Sequence, residues 1–142
     1  MKLRLKIIRK VNNYTQSDIA SILGVTQRTY SKYETGELSL KIEQLVELSN
    51  FYKLTTDYIL GIVSDSPKLE SIRKFDYDKF INYLRYLRFE HNYSQKQLAN
   101  LVNCSPSLIS MIELKRSGVQ LDMLISLANV YGKTVDDVLF SE

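Results

Sequence analysis

Cysteine and histidine are almost missing: Cys104 and His91 are the single copies of each in 142 residues. One thiol forms no internal disulfide, which fits a reducing cytoplasm. One imidazole and one thiol supply neither a set of metal ligands nor a nucleophile with its base. Five scattered glycines build no phosphate-cradling loop. Catalysis, a metal and a cofactor are therefore not expected. The carboxylates sit at solvent and capping positions; Asp136 and Asp137 open the last helix, where they offset its dipole. Cys104 reads as a small core residue and His91 as a surface residue in a turn. Long apolar runs are lacking too, since none approaches the roughly 18 residues of a membrane span. Met1-Lys-Leu-Arg-Leu-Lys-Ile-Ile is too short and too interrupted for the apolar core of a signal peptide.

What is present has the balance of an ordinary globular protein, 44% hydrophobic and 25% charged. The net charge of +3 is unevenly placed. Residues 1–63 carry nine Lys/Arg against six Asp/Glu, residues 64–76 three of each, and residues 77–142 seven of each. All the excess positive charge thus lies in the first part, which is the part favoured for contact with phosphate.

The most informative stretch runs from Tyr14 to Gly36 and reads as two short amphipathic helices joined by a glycine turn. Thr15 caps the first, with Asp18 three residues on to reciprocate. Ile19, Ala20 and Leu23 then share one side at helical spacing. Gly24 supplies a left-handed residue, and Val25 turns inward. Thr26 caps the second helix, which buries Tyr30 and Tyr33 and turns Gln27, Arg28, Ser31 and Lys32 outward. A short helix that is apolar behind and carries amide, guanidinium and ammonium groups in front suits a DNA major groove. A solvated polar face is the plainer alternative.

Upstream, a helix over about Lys2 to Val11 points Leu5 and Ile8 inward and Lys2, Lys6 and Lys10 outward. Downstream, Lys41 to Tyr52 places Ile42, Leu45, Leu48 and Tyr52 on one stripe, and Thr55 to Gly61 forms a short capped helix. A polar break at Val63-Ser-Asp-Ser-Pro-Lys marks residues 64–75 as a linker. Then the pattern begins again. A shift of 79 residues aligns Leu5 with Leu84, Arg9 with Arg88, Gln16 with Gln95, Ala20 with Ala99 and Glu34 with Glu113. It continues without a gap through Tyr52 and Tyr131 to Leu60 and Leu139. Residues 1–63 and 76–142 are two copies of one domain.

Thr15-Gln16, Ala20, Gly24-Val25, Ser31, Tyr33-Glu34, Gly36, Leu45 and Asp57-Tyr-Ile-Leu-Gly, in this order and echoed in the second copy, resemble the Cro/phage-repressor (XRE-type) helix-turn-helix family. The resemblance implies an all-α chain of two tandem five-helix domains, bacterial or phage-type, binding double-stranded DNA through the third helix of a domain that is usually dimeric. It implies that Gln27, Arg28, Ser31 and Lys32 read bases. Thr15 and Gln16, and Gln95 in the second copy, are the expected phosphate contacts. Arg9 with Glu34, and Arg88 with Glu113, match an ion pair that ties the first helix of a domain to the end of its third.

The second copy changes the reading face. Ser94 with Gln97 forms a capping box, Asn103 replaces the turn glycine, and Pro106 stands at the first helical position. The candidate readers become Ser105, Ser107, Ser110 and Met111, with Lys115 and Arg116 in reach of phosphate. This copy therefore reads DNA weakly or faces another partner. The segment leading into it extends its first helix by about a turn. Its aromatics outnumber what one helix stripe buries, so Tyr77, Phe80, Tyr83 and Tyr86 are interface candidates, with ordinary core as the alternative. The expected function is a sequence-specific transcriptional regulator, a repressor, acting as a homodimer or as a monomeric pseudo-dimer on a palindromic or pseudo-palindromic operator. The competing class is an antirepressor- or antitoxin-like protein-interaction module.

Overall fold

The computed structural model describes residues 3–141; Lys2, expected on the outer face of the first helix, lies outside them. Ten helices and no strand occur among the described residues, and the chain divides into two compact units, Met1–Arg73 and Lys74–Glu142. The expected all-α chain of two tandem helix-turn-helix copies is what forms.

The first unit holds α1 (Leu5–Val11), α2 (Gln16–Leu23), α3 (Gln27–Thr35), α4 (Ile42–Tyr52) and α5 (Thr56–Ile59). Threonines open three of them. The Thr15 hydroxyl accepts from the Asp18 amide at 3.0 Å while the Asp18 carboxylate accepts from the Thr15 amide at 2.8 Å. Thr26 and Thr55 accept from Thr29 and Tyr58 in the same way. Each such cap stabilises by about 1 kcal/mol. The core is Leu5, Ile8, Ile19, Ala20, Tyr30, Tyr33, Leu40, Ile42, Leu45, Leu48 and Ile59, one apolar stripe from each helix.

The segment expected as a linker is tied down over much of its length. The Thr55 amide donates to the Ser66 hydroxyl at 2.9 Å, and the Leu69 amide to the Lys53 carbonyl at 2.9 Å. Asn50 then pairs with the Arg73 backbone in both directions, at 2.9 and 3.0 Å, and the Arg73 guanidinium donates to the Ser49 hydroxyl at 2.7 Å. Four of these five bonds use a main-chain group, which polar composition does not announce.

The second unit repeats the order with α6 (Tyr77–Glu90), α7 (Gln95–Leu101), α8 (Pro106–Glu113), α9 (Leu121–Val130) and α10 (Val135–Leu139). Its first helix has 14 residues against 7 in α1; its start at Tyr77 lies about a turn ahead of the position matching Lys2, the extension expected, and the start of α1 at Leu5 makes the difference two turns. Those turns supply core. Phe80 is 1% exposed and packs its ring against Phe75 and Tyr77. It is a core residue, not an interface candidate. Tyr77 is half-buried against Phe75 and donates its hydroxyl to the Ser117 carbonyl at 3.4 Å. Tyr83 is half-buried and stacks on the exposed Tyr86, whose hydroxyl donates to Glu90.

The repeat also exposes a local strain. The helix α4 ends on Lys53 at φ +59°, where the second copy has Gly132 at φ +64°. A side chain in the left-handed region costs about 1–2 kcal/mol, and a glycine there recovers most of it after its own entropy loss. Lys53→Gly is expected to raise the stability of the first unit by roughly 0.5–1 kcal/mol. A urea denaturation midpoint that stayed put or fell would show that Lys53 makes up the strain elsewhere.

Candidate nucleic-acid interface

Helix α3 is built from its caps outward. Thr26 fixes its start and Gly36, left-handed at φ +85°, fixes its end. Between them Tyr30 and Tyr33 are buried, edge to face, which anchors the back of the helix. Gln27 and Arg28 are exposed, and Ser31 and Lys32 are half-exposed. All four residues expected on the outer face of α3 thus reach solvent, Ser31 and Lys32 less fully.

A chain of hydrogen bonds runs from the domain interior to that face. The Arg9 guanidinium donates two hydrogen bonds to Glu34, at 2.7 and 3.1 Å, with side-chain exposures of 9% and 4%. It donates a third to the Tyr14 carbonyl at 3.0 Å, which fixes the turn into α2. The Gln16 amide donates to the same Glu34 at 3.1 Å, and the Gln27 amide donates to the Gln16 oxygen at 2.6 Å. Gln16, at the head of α2, therefore links the buried pair to the first residue of α3. The bond between Gln16 and Gln27 spans the turn and escaped the sequence reading; its only signal was two glutamines eleven residues apart.

Burial opposes the ionisation of Glu34, yet the hydrogen bonds from Arg9 and Gln16 outweigh it and hold the carboxyl below its ordinary range. Glu113 is lowered in the same way by Arg88 and Gln95, again against its own burial. The Arg9 and Arg88 guanidinia are raised in turn, chiefly by their hydrogen bonds to the glutamates. Burial and the nearby Glu34 carboxylate push the Tyr30 phenol well above its ordinary range, so it stays protonated. Because both carboxyls are depressed, the stability they contribute is complete above about pH 4.5 and is lost as pH falls through their lower folded values. Urea midpoints measured down a pH series are expected to hold steady as far as this pair of carboxyls is concerned until about pH 4.5, and then drop. A drop confined to the range between about pH 7 and pH 5 would contradict the assignment.

The second unit keeps the frame and cuts the chain short. Arg88 holds Glu113 at 2.6 and 2.8 Å, and Gln95 donates to Glu113 at 3.1 Å. The next member would be the residue matching Gln27, which is Pro106, with no amide side chain to continue. Of the candidate readers here, Ser105 uses its hydroxyl as the cap of α8, accepting from Leu108 at 3.1 Å, and Ser110 is half-buried. Ser107 and Met111 are exposed. Lys115 is paired with Asp78 at 3.0 Å; Arg116 is exposed. Thr15 in the first unit is likewise an exposed residue whose hydroxyl serves its helix. Cys104 is half-buried, and burial pushes its thiol up. His91 is an exposed residue at the end of α6, its ring stacked on Tyr93. No helix among the described residues is long and apolar enough to cross a membrane, and no three potential metal ligands cluster.

Comparison with known proteins agrees with this geometry. The helix-turn-helix family model HTH_3 matches twice, over residues 5–59 and 84–138. The uncharacterized HTH-type transcriptional regulator YobD of Bacillus subtilis is 34% identical over 68 residues, 47% of this chain and 61% of its own length. The HTH-type transcriptional regulator ImmR of the same organism is 37% identical over 68 residues, 48% of this chain and 54% of its own. The cryptic phage CTXphi transcriptional repressor RstR of Vibrio cholerae is 34% identical over 61 residues, 43% of this chain and 54% of its own. The chain thus spans between about half and two thirds of the length of the curated relatives it matches. No solved structure matches it significantly. With a complete capped helix-turn-helix frame, α2–α3 in the first unit and α7–α8 in the second, each with its buried ion pair, and the family model matched over both, the chain belongs to the XRE-type helix-turn-helix family.

Proposed function

We propose that the protein is a sequence-specific regulator that binds double-stranded DNA through its first unit and represses transcription. The observation that carries this is the outer face of α3, where Gln27 and Arg28 stand exposed while Tyr30 and Tyr33 lock the helix from behind. Arginine pairs bidentately with guanine and glutamine with adenine, each good pair being worth about 1–3 kcal/mol of discrimination. The bond to Gln16 limits the orientations open to Gln27 before DNA arrives, which lowers the entropy lost on binding. Lys32 beside them adds charge for the phosphate backbone. Relatives named as transcriptional regulators, one of them a phage repressor, support the same reading.

A second reading, of a protein-interaction module, is favoured for the second unit alone. Pro106, Ser107 and Met111 replace Gln27, Arg28 and Lys32 and offer one hydroxyl where the first copy offers three long polar groups. The test is selection from random duplex DNA at a stated salt concentration. Enrichment of a defined half-site supports the regulator. Failure to enrich any sequence sinks it and leaves the interaction module.

A further inference from the structure

We infer that the outer face of α1 and the turn after α5 form a docking groove for a partner protein, and that its occupant is an acidic amphipathic helix. Ile7 and Val11 stand four residues apart on α1, 60% and 75% exposed, and Lys6 and Lys10 stand four apart beside them, both exposed. The helix thus sets an aliphatic ridge next to a cationic one, while Leu5, Ile8 and Arg9 are buried. A groove of about 610 Å³ is lined by these four side chains together with Leu3, Arg4 and Gly61. Arg4 fastens its two sides. Its guanidinium lies 4.4 Å over the Tyr58 ring and donates to the Tyr58 carbonyl at 2.8 Å and to the Val63 carbonyl. Its amide donates to the Ile59 carbonyl at 2.9 Å. The turn that carries Gly61 is therefore held against the start of α1, and a groove formed in advance costs its occupant less ordering.

The frame does not require this surface. The second copy keeps Leu84, Leu87 and Arg88 at the positions of Leu5, Ile8 and Arg9, yet has Arg85, Tyr86, Phe89 and Glu90 at those of Lys6, Ile7, Lys10 and Val11. The lining selects the occupant. Three of the seven lining residues are cations and none is acidic. Such a field attracts carboxylates and repels a basic partner. Ile7 and Val11 call for apolar groups between those carboxylates, which a phosphate backbone does not supply, so duplex DNA fits poorly. A bilayer takes up apolar faces that project into it, and a groove does not project. Among the described residues there is no strand to which an extended peptide could add its own. Two ridges of four-residue spacing instead match the side-chain rows of another helix. An apolar stripe at i, i+3 or i+4, and i+7 would lie along Ile7 and Val11, with Asp or Glu at its border against Lys6 and Lys10. None of these groups belongs to α3, so the inference stands apart from the DNA reading.

The test is selection from a display library of helical peptides, randomised over one face, against the full wild-type chain, followed by titration of the winners by fluorescence anisotropy. The selected peptides are expected to join an aliphatic stripe to a net negative charge and to bind with a Kd below about 100 µM. Lys6→Glu with Lys10→Glu, and separately Ile7→Ser with Val11→Ser, should each weaken them at least about tenfold. All four side chains are exposed, so the helices should persist, which circular dichroism checks; should a double variant unfold, Lys10→Glu alone is judged by the same criterion. A library that yields no binder, winners without acidic bias, or winners that hold the folded charge-reversed chain as tightly as wild type would overturn the proposal. So would sedimentation of the wild-type chain, but not the charge-reversed one, with vesicles of equimolar phosphatidylcholine and phosphatidylglycerol, which reassigns the face to a membrane. A loss of duplex affinity in the charge-reversed chain as large as that in Arg28→Ala reassigns it to phosphate contact and equally overturns it.

Discussion

Glu34→Ala is expected to destabilise the first unit by about 3–5 kcal/mol, because it leaves the Arg9 guanidinium buried without its carboxylate. A domain of this size has a total stability on the order of 5 kcal/mol, so the variant unit is expected to be substantially unfolded at room temperature. Hydrogen exchange should localise the loss to α1–α5 and leave α6–α10 protected, since Arg88 and Glu113 form their own pair. The complementary variant Arg9→Met, Glu34→Met removes both charges and is expected to recover most of the stability. It should not recover full DNA affinity. Without Glu34 the Gln16 amide loses its acceptor, and the grip on Gln27 loosens. Recovery of both stability and affinity would show that the chain of hydrogen bonds only holds the fold.

The parts of this frame that were legible in the sequence are those with local causes. Thr15, Thr26, Thr55 and Ser94 all cap the helices they precede, because a hydroxyl reaching two or three residues ahead depends on nothing distant. The repeat carried the rest of the frame: Arg9 and Glu34 are 25 residues apart, and only their recurrence as Arg88 and Glu113, with the family resemblance, drew attention to the pair. Contacts with neither a local cause nor a counterpart in the other copy stayed hidden. Phe80 looked surplus to one helix stripe because its packing partner Phe75 lies in the segment before the helix, and Phe75 in turn meets Phe140 from the far end of the chain. The Asn50 amide grips the backbone of Arg73, and any residue there has the same backbone to offer. For the reading face, residue type was legible and arrangement was not. Gln27 was visible as an amide on an outer face, but its bond to Gln16 depends on how α2 and α3 cross.

Arg28→Ala is expected to weaken binding to the selected DNA site by roughly 1–3 kcal/mol per half-site, a loss of about 5- to 150-fold, and to relax selectivity at one base position. The fold should be unaffected, because Arg28 is exposed and takes no part in the caps of α3. Lys32→Ala supplies the contrast. If its ammonium meets phosphate, the loss should be nearly equal for all sequences, with the slope of log affinity against log salt reduced by about 1. Pro106→Ala, at the position of the second unit that matches Gln27, is expected to change neither affinity nor selectivity. Titrations of all three variants on specific and random duplexes at two salt concentrations separate these outcomes. A loss from Arg28→Ala that is the same on both duplexes would reassign Arg28 to the backbone and leave Gln27 as the principal reader. A comparable loss from Pro106→Ala would mean that the second unit also lies on DNA, and that the two copies divide the operator between them.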